Sequence, residues 1–197
     1  ANHAGHSAGF AVPNVDAQAR LLAENLEAAG IDPRSIGYVE AAANGSSIGD
    51  AIELRALGRV FAGAQGIPLG SVKANLGHAE AASGMAQLTR VLLQFQHRRL
   101  VPSPGLPSRD DAGSPFAATP FVPQLQAETW NPRLVEGAAQ PLRASVSSFG
   151  AGGSNVHLVL EEAPPAAAAA SADEPAGPFR FPVSARTPDQ LTAMLRQ

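Results

Sequence analysis

The sequence predicts a layered α/β fold around a buried sheet, and three observations carry that prediction. Short β-rich runs alternate with amphipathic or apolar helical runs, polar glycine-rich loops follow the strand candidates, and 45% of the 197 residues are hydrophobic, enough for a real core.

From Asp16 to Ala29 the apolar positions Ala17, Leu21, Leu22, Leu26 and Ala29 follow helical spacing, and Gly30 offers a left-handed stop. Ile36 to Ala41 is a short β-rich run closed by the glycine-punctuated turn Asn44 to Asp50. A second helix is expected from about Asp50 to Phe61. Leu69 to Asn75 reads as a strand leading into a polar loop, and Ala81 to Gln96 as a helix apolar on nearly all sides and therefore buried. Val101 to Pro132, rich in proline and without periodicity, is expected as a long ordered surface loop.

Between Arg143 and Glu162 the pattern is strand, glycine-rich turn, strand, which predicts a hairpin. Residues 164–178 are Ala/Pro-rich sequence that cannot bury a core and read as a linker. Residues 179–197 start a further element in which Thr187 or Asp189 caps a short helix, leaving 1–163 as the main body. About four strands are too few to close a layered α/β domain, so this body is expected to bury surface against another half domain.

Composition excludes several classes of function. A net charge of −3 with dispersed carriers offers no basic stripe for nucleic acid. Every apolar run is interrupted by charge, proline or glycine, and the start has no secretory pattern, so the chain reads as soluble and cytoplasmic, without a membrane partner. Cysteine is absent, which removes disulfides, thiolate metal sites and any cysteine nucleophile from this chain. His3, His6 and His97 lack acidic or thiol neighbours at ligand spacing, so no metal is expected.

Three polar loops, Ala42 to Asp50, Asn75 to Gly84 and Phe149 to Asn155, follow strands, and in α/β sheets such loops converge into sites. His78 sits between a strand and the small-residue opening of a helix. It could hold a proton or donate to a developing oxyanion, or serve as a satisfied structural histidine. Lys73 and Glu80 could pair with each other or with another loop. His157, at an alternate position of VHLVL, is expected to be buried with one hydrogen bond. After Phe149, the flexible Gly150, Ala151, Gly152 and Gly153 permit close backbone approach to a ligand, and their N–H groups could hold an oxyanion. A phosphate loop is excluded, because no Lys-Ser or Lys-Thr follows and the next element is a strand.

The segments YVEAAANGSSIGDAIE, GSVKANLGHAEAASGMAQLTRVLLQFQH and SVSSFGAGGSNVHLVLEEAP resemble, in order and spacing, motif blocks of the polyketide synthase ketosynthase family (β-ketoacyl synthases), and the likeness runs from Asn2 to Pro165. The opening is most similar to the type that works with a separate acyltransferase. The resemblance implies the C-terminal half of a thiolase-like fold, with the active cysteine in the preceding half. The tail resembles the region joining a ketosynthase to its flanking domain.

His78 matches the histidine of a NIGH-like loop, with Asn75 and Gly77 in place and Leu76 for isoleucine. The histidine of an HGTGT-like loop falls on Ala42, and Ala43, Asn44 and Ser46 replace its neighbours. In the family that histidine supports decarboxylation of the extender unit, so the resemblance implies a non-elongating domain. Acyl transfer, which needs mainly a nucleophile and an oxyanion site, would survive. Lys73 and Glu80 match a lysine and an acid in supporting roles, and Phe149 a phenylalanine that gates the acyl channel, while Ala151 stands where a second aromatic is common. The implied partners are a cysteine-bearing N-terminal half, an acyl carrier protein whose phosphopantetheine holds the substrate, and a second copy of the completed domain, with no cofactor bound directly. Alone, the chain is not expected to condense anything. The alternative is an inert structural or docking element of a megasynthase.

Overall fold

A computed structural model of the chain describes residues 1–5, 9, 12–164 and 184–195. The chain divides into two units, Ala1–Glu162 and Ala163–Gln197. In the first unit the elements are β1 (Asn2–His3), α1 (Val15–Ala28), β2 (Tyr38–Glu40), α2 (Ser47–Val60), β3 (Ile67–Gly70), α3 (Lys73–Leu76), α4 (Ser83–His97), β4 (Arg99–Leu100), β5 (Phe121–Pro123), β6 (Glu128–Thr129), β7 (Leu134–Val135), β8 (Ala138–Ala139), β9 (Arg143–Phe149) and β10 (Ser154–Glu161).

The expected layered α/β arrangement is present. A mixed sheet runs β1-β10-β9-β2-β3-β5; β9, β2, β3 and β5 are parallel, while β10 and β1 are antiparallel additions at one edge. Side chains alternate across it. Val39, Ile67 and Leu69 join Leu22, Leu26, Leu57 and Phe61 of α1 and α2 in one core, where Phe61 meets Phe121 edge to face at 5.8 Å. Tyr38, Ala144 and Val146 face the opposite way, toward Val91 and Trp130, with Phe95 of α4 stacked on Trp130 at 4.8 Å. Such aromatic pairs add roughly 1 kcal/mol each beyond area burial.

Local chemistry sets the boundaries. Asn14 caps α1 by accepting from the amides of Asp16 and Ala17, and Gly30, at φ 63°, turns the chain so that Ile31 N–H reaches Leu26 C=O at 2.9 Å. The second helix starts at Ser47 rather than near Asp50, because Ser46 Oγ accepts from Gly49 N–H at 3.1 Å and converts the turn into a cap.

The third strand ends at Gly70 instead of running to Asn75. The amides that would extend the ladder go to side chains: Ser71 N–H to Ser103 Oγ at 3.0 Å and Val72 N–H to the Glu40 carboxylate at 2.6 Å. The backbone then turns into α3. Gly70 itself is obligatory, since a Cβ there would lie 2.5 Å from Ser103 Oγ and 2.6 Å from the Tyr38 hydroxyl.

Three further expectations are corrected. The segment Val101 to Pro132 is not loop throughout: Phe121–Pro123 pairs with β3, driven by the buried Phe121. Asn2–His3 adds an edge strand, so the main sheet among the described residues has six strands, beside two two-stranded ribbons, where about four strands were expected. Helix α4 is not buried all round; its buried side carries Ser83, Gln87, Arg90, Val91 and Gln94, while Met85, Leu92 and Leu93 are 64%, 51% and 48% exposed. The hairpin β9–β10 forms as expected, with Val156 and Leu158 exposed on the side that α4 shares.

In the second unit Pro188–Leu195 is helical (α5), and Thr187 rather than Asp189 caps it, accepting from Gln190 N–H through Oγ1 at 3.3 Å. Residues 165–183 of the expected linker and tail lie outside the described residues. No helix among the described residues is long and apolar enough to cross a membrane.

Candidate functional site

The parallel strands β2, β3 and β9 end on one side of the sheet, and the loops that follow them build one cleft of about 1160 Å³. Ala42, Lys73, His78, Glu80 and the turn from Phe149 to Gly153 all line it. Asn75 does not. Its side chain donates to Pro102 C=O at 3.1 Å and accepts from Arg90 at 3.1 Å, which turns it toward the base of α4.

The loop after β2 is held from three directions. Glu53, buried on α2, accepts from Ala42 N–H at 2.7 Å and Ala43 N–H at 2.8 Å, one through each carboxylate oxygen. Lys73 Nζ donates to Ala42 C=O. Gln87 of α4 donates to Ala41 C=O at 3.0 Å and Ser147 C=O at 2.8 Å, tying this loop to β9. Lys73 therefore does not pair with Glu80; it reaches across to the Ala42 loop and sits in the field of Glu53, Glu40 and Asp50. Ala42 itself is buried and its methyl group handles no proton.

Burial pushes the Glu53 carboxyl up to about 7, against the pull of the Ala43 and Ala42 amides. Burial likewise raises Glu40 to about 7, opposed by Arg90 and by hydrogen bonds from Val72 and Tyr38. Burial lowers Lys73, which the surrounding acids partly offset. The site is a compact nest of acids around one half-buried ammonium.

His78 Nδ1 accepts from Glu80 N–H at 2.9 Å. A nitrogen that accepts from an amide carries no proton, so the neutral ring is protonated at Nε2 and presents a donor. The side chain is 41% exposed, and Glu80, at 90% exposed, lies 3.9 Å from the ring. Glu80 also adopts φ 47°, which sets its amide against the ring.

In the turn after β9, Gly150 N–H donates to Ser154 C=O at 2.8 Å and Gly153 N–H to Gly150 C=O at 2.9 Å. Those two amides close the turn, so an oxyanion could be met only by Ala151 or Gly152, whose amides enter no hydrogen bond among the described residues. His3 donates through Nε2 to Gly152 C=O at 2.9 Å, its Nδ1 being occupied by Gly5 N–H. Gly153, at φ 91°, has no room for a side chain, since a Cβ would stand 2.9 Å from the His3 ring. His157 is buried as expected, bonded to Ser145 Oγ at 2.7 Å, and burial lowers it to about 4. Among the described residues no cluster of three or more His, Cys, Asp or Glu could hold a metal ion.

Sequence reasoning did not single out Glu53, Gln87 or Gln18. A signal for each was present: Glu53 shares a helix face with Ala56 and Leu57, Gln87 with Val91, and Gln18 with Leu21 and Leu22, so each is a polar group placed where a core residue belongs.

Residues 1–106 match the family described as Beta-ketoacyl synthase, C-terminal domain, and residues 121–197 match the Ketoacyl-synthetase C-terminal extension. The chain belongs to the β-ketoacyl synthase family. Among related proteins, Polyketide synthase ThaQ of Burkholderia thailandensis is 47% identical over 98% of this chain and 9% of its own length. Polyketide synthase PksL of Bacillus subtilis is 42% identical over 96% of this chain and 4% of its own. The oxazolomycin ketosynthase domain OzmH KS7 of Streptomyces albus superposes with TM-score 0.76 at 42% identity, over 99% of this chain and 34% of that one. The ketosynthase from module 6 of the Bacillus subtilis bacillaene synthase gives TM-score 0.71 at 32% identity, over 99% of this chain and 32% of that one. The sheet and its layers are thus the C-terminal half of the thiolase-like ketosynthase fold, spanning a third of the solved ketosynthases it matches.

Proposed function

We propose that this chain is the C-terminal half of a non-elongating ketosynthase of the trans-acyltransferase type. Completed by a cysteine-bearing N-terminal half, it passes acyl chains between acyl carrier proteins without decarboxylative condensation. What supports the proposal is that Ala42, set at the histidine position by the motif resemblance, lies in a loop whose backbone Glu53, Lys73 and Gln87 hold.

The chemistry divides at that residue. In transfer, the cysteine sulfur attacks the thioester carbonyl, a C–S bond to the enzyme forms, and the carrier's C–S bond breaks, releasing its phosphopantetheine thiol; reversal onto a second carrier completes the passage. The oxyanion in each step is met by His78 Nε2–H and the free amides of the turn after Phe149. Decarboxylation of a malonyl unit instead builds an enolate beside Ala42, where a methyl group supplies no donor. The completed domain works as a homodimer and takes its substrate on phosphopantetheine, binding no cofactor itself.

Carbon dioxide release from a malonyl carrier, measured alongside movement of an acyl label between two carriers, tests this. Label transfer without carbon dioxide release is expected; release at the rate of an elongating ketosynthase overturns the proposal.

A further inference from the structure

We propose that His3 is a positioning residue for acyl transfer: its ring holds the peptide between Gly152 and Gly153 and keeps the turn after Phe149 in the shape that leaves the Ala151 and Gly152 amides open to an oxyanion. The proposal rests on that turn being the oxyanion site. Strand β1 lays His3 beside β10, with His3 in register with Ser154 and Asn2 with Asn155. From there His3 donates through Nε2 to Gly152 C=O at 2.9 Å, while its Nδ1 accepts from Gly5 N–H at 3.0 Å. An Nδ1 that accepts leaves the proton of the neutral ring on Nε2, so the tautomer that can hold Gly152 is the one present. Ala4 N–H adds a bond to Gly153 C=O at 2.7 Å. His3 and the turn both line the cleft that holds Ala42 and His78.

The composition of the turn is what makes a hold from outside necessary. Gly152 carries no Cβ, and one built there would meet nothing within 4 Å, so side-chain sterics do not fix the direction of the peptide that follows it. Hydrogen bonds fix it, one at each end: Gly153 N–H donates to Gly150 C=O at 2.9 Å within the turn, and His3 binds the Gly152 C=O from β1. Released from His3, that peptide can rotate and bring a carbonyl oxygen, the negative end of its dipole, among the amides that meet a developing negative charge. Donors that must reorient during the reaction lose much of their worth. The His3 bonds are exposed to water and contribute little to stability, so their loss lowers the rate without unfolding the chain.

The test uses the complex of this chain with its cysteine-bearing half and an acyl-carrier donor, with single-turnover acylation of the cysteine followed by mass spectrometry in His3→Ala, His3→Asn and His3→Gln. The glutamine amide reaches the place of Nε2 and can donate to Gly152 C=O, whereas the asparagine amide reaches only the place of Nδ1 and keeps the Gly5 bond alone. His3→Ala and His3→Asn are expected to lower the acylation rate at saturating donor about tenfold, with the half-saturating donor concentration within about twofold of the parent, and His3→Gln to recover most of the rate. Amide exchange at Gly153 is expected to accelerate in the first two variants and not in the third, with exchange along β9 unchanged. Should His3→Ala not fold, the comparison of His3→Asn with His3→Gln carries the test, and equal rates in those two overturn the proposal. A parent-like rate or unchanged Gly153 exchange in a folded His3→Ala overturns the role of His3 and leaves transfer standing. No acylation in the unmodified complex overturns transfer, and this role with it.

Discussion

Each oxygen of the Glu53 carboxylate accepts one amide of the Ala42 loop, Ala42 N–H at 2.7 Å and Ala43 N–H at 2.8 Å. A carboxylate buried on α2 thus sets the backbone of a loop eleven residues earlier in the chain, independently of what side chain that loop carries. Removing it strands two buried donors. Glu53→Ala is expected to cost roughly 2–5 kcal/mol, measured by denaturant unfolding, and to accelerate amide exchange at Ala42 and Ala43 beyond that elsewhere in β2. Unchanged exchange at those amides would contradict the clamp.

The same carboxyl makes stability pH-dependent. Glu53 has its ordinary value near 4.5 when unfolded and about 7 when folded, so between those values the folded state binds more protons and stability falls as pH rises. Glu40 acts in the same direction, and buried His157, lowered to about 4, acts oppositely between about 4 and its ordinary 6.5. The difference in unfolding free energy between the parent and Glu53→Gln should therefore shift against the parent from about pH 5 to pH 8, in a monotonic curve. A flat difference means that Glu53 ionises normally in the fold.

Ala43 sits at φ 28°, where a Cβ is strained. Ala43→Gly relieves that strain at the cost of glycine's extra chain entropy, for a net gain of about 0.5–1 kcal/mol in unfolding free energy. Ala42→Gly, without such strain to relieve, should lose stability instead.

The apolar side of α4 and the neighbouring row of β10 leave Met85, Leu92, Leu93, Val156 and Leu158 exposed. Large apolar side chains left in water on a helix and a strand give the isolated chain surface to bury. The isolated chain is expected to self-associate in sedimentation, and Leu92→Glu with Leu93→Glu to shift it toward monomer. A compact monomer of the unmodified chain at micromolar concentration would contradict this.

Much of the fold was legible because the signals were periodic. Helix α1, the hairpin β9–β10 and the convergence of three glycine-rich loops followed from spacing and turn chemistry. The extent of β3 was not legible, because Glu40 and Ser103, distant in sequence, take the amides of Val72 and Ser71. Strand β5 was hidden because three residues, preceded by Pro120 and ending in Pro123, carry no visible period. Helix α4 misled for a physical reason: Met85, Leu92 and Leu93 face outward while Gln87, Arg90 and Gln94 turn inward beside Val91, so hydrophobicity pointed to burial that this half alone does not provide. At the site, the motifs pointed to His78 and Ala42, and both line the cleft, whereas Asn75 faces away from it because Arg90 and Pro102 hold it.

The central claim is that Ala42 separates acyl transfer from condensation, and intact-protein mass spectrometry of this chain paired with its cysteine-bearing half tests it most directly. Given an acyl-carrier donor and then a malonyl carrier, the cysteine-bearing half should gain the mass of the acyl group and keep it until a free carrier thiol removes it, and no condensed product should appear on the malonyl carrier. A β-ketoacyl product from the unmodified pair would contradict the account.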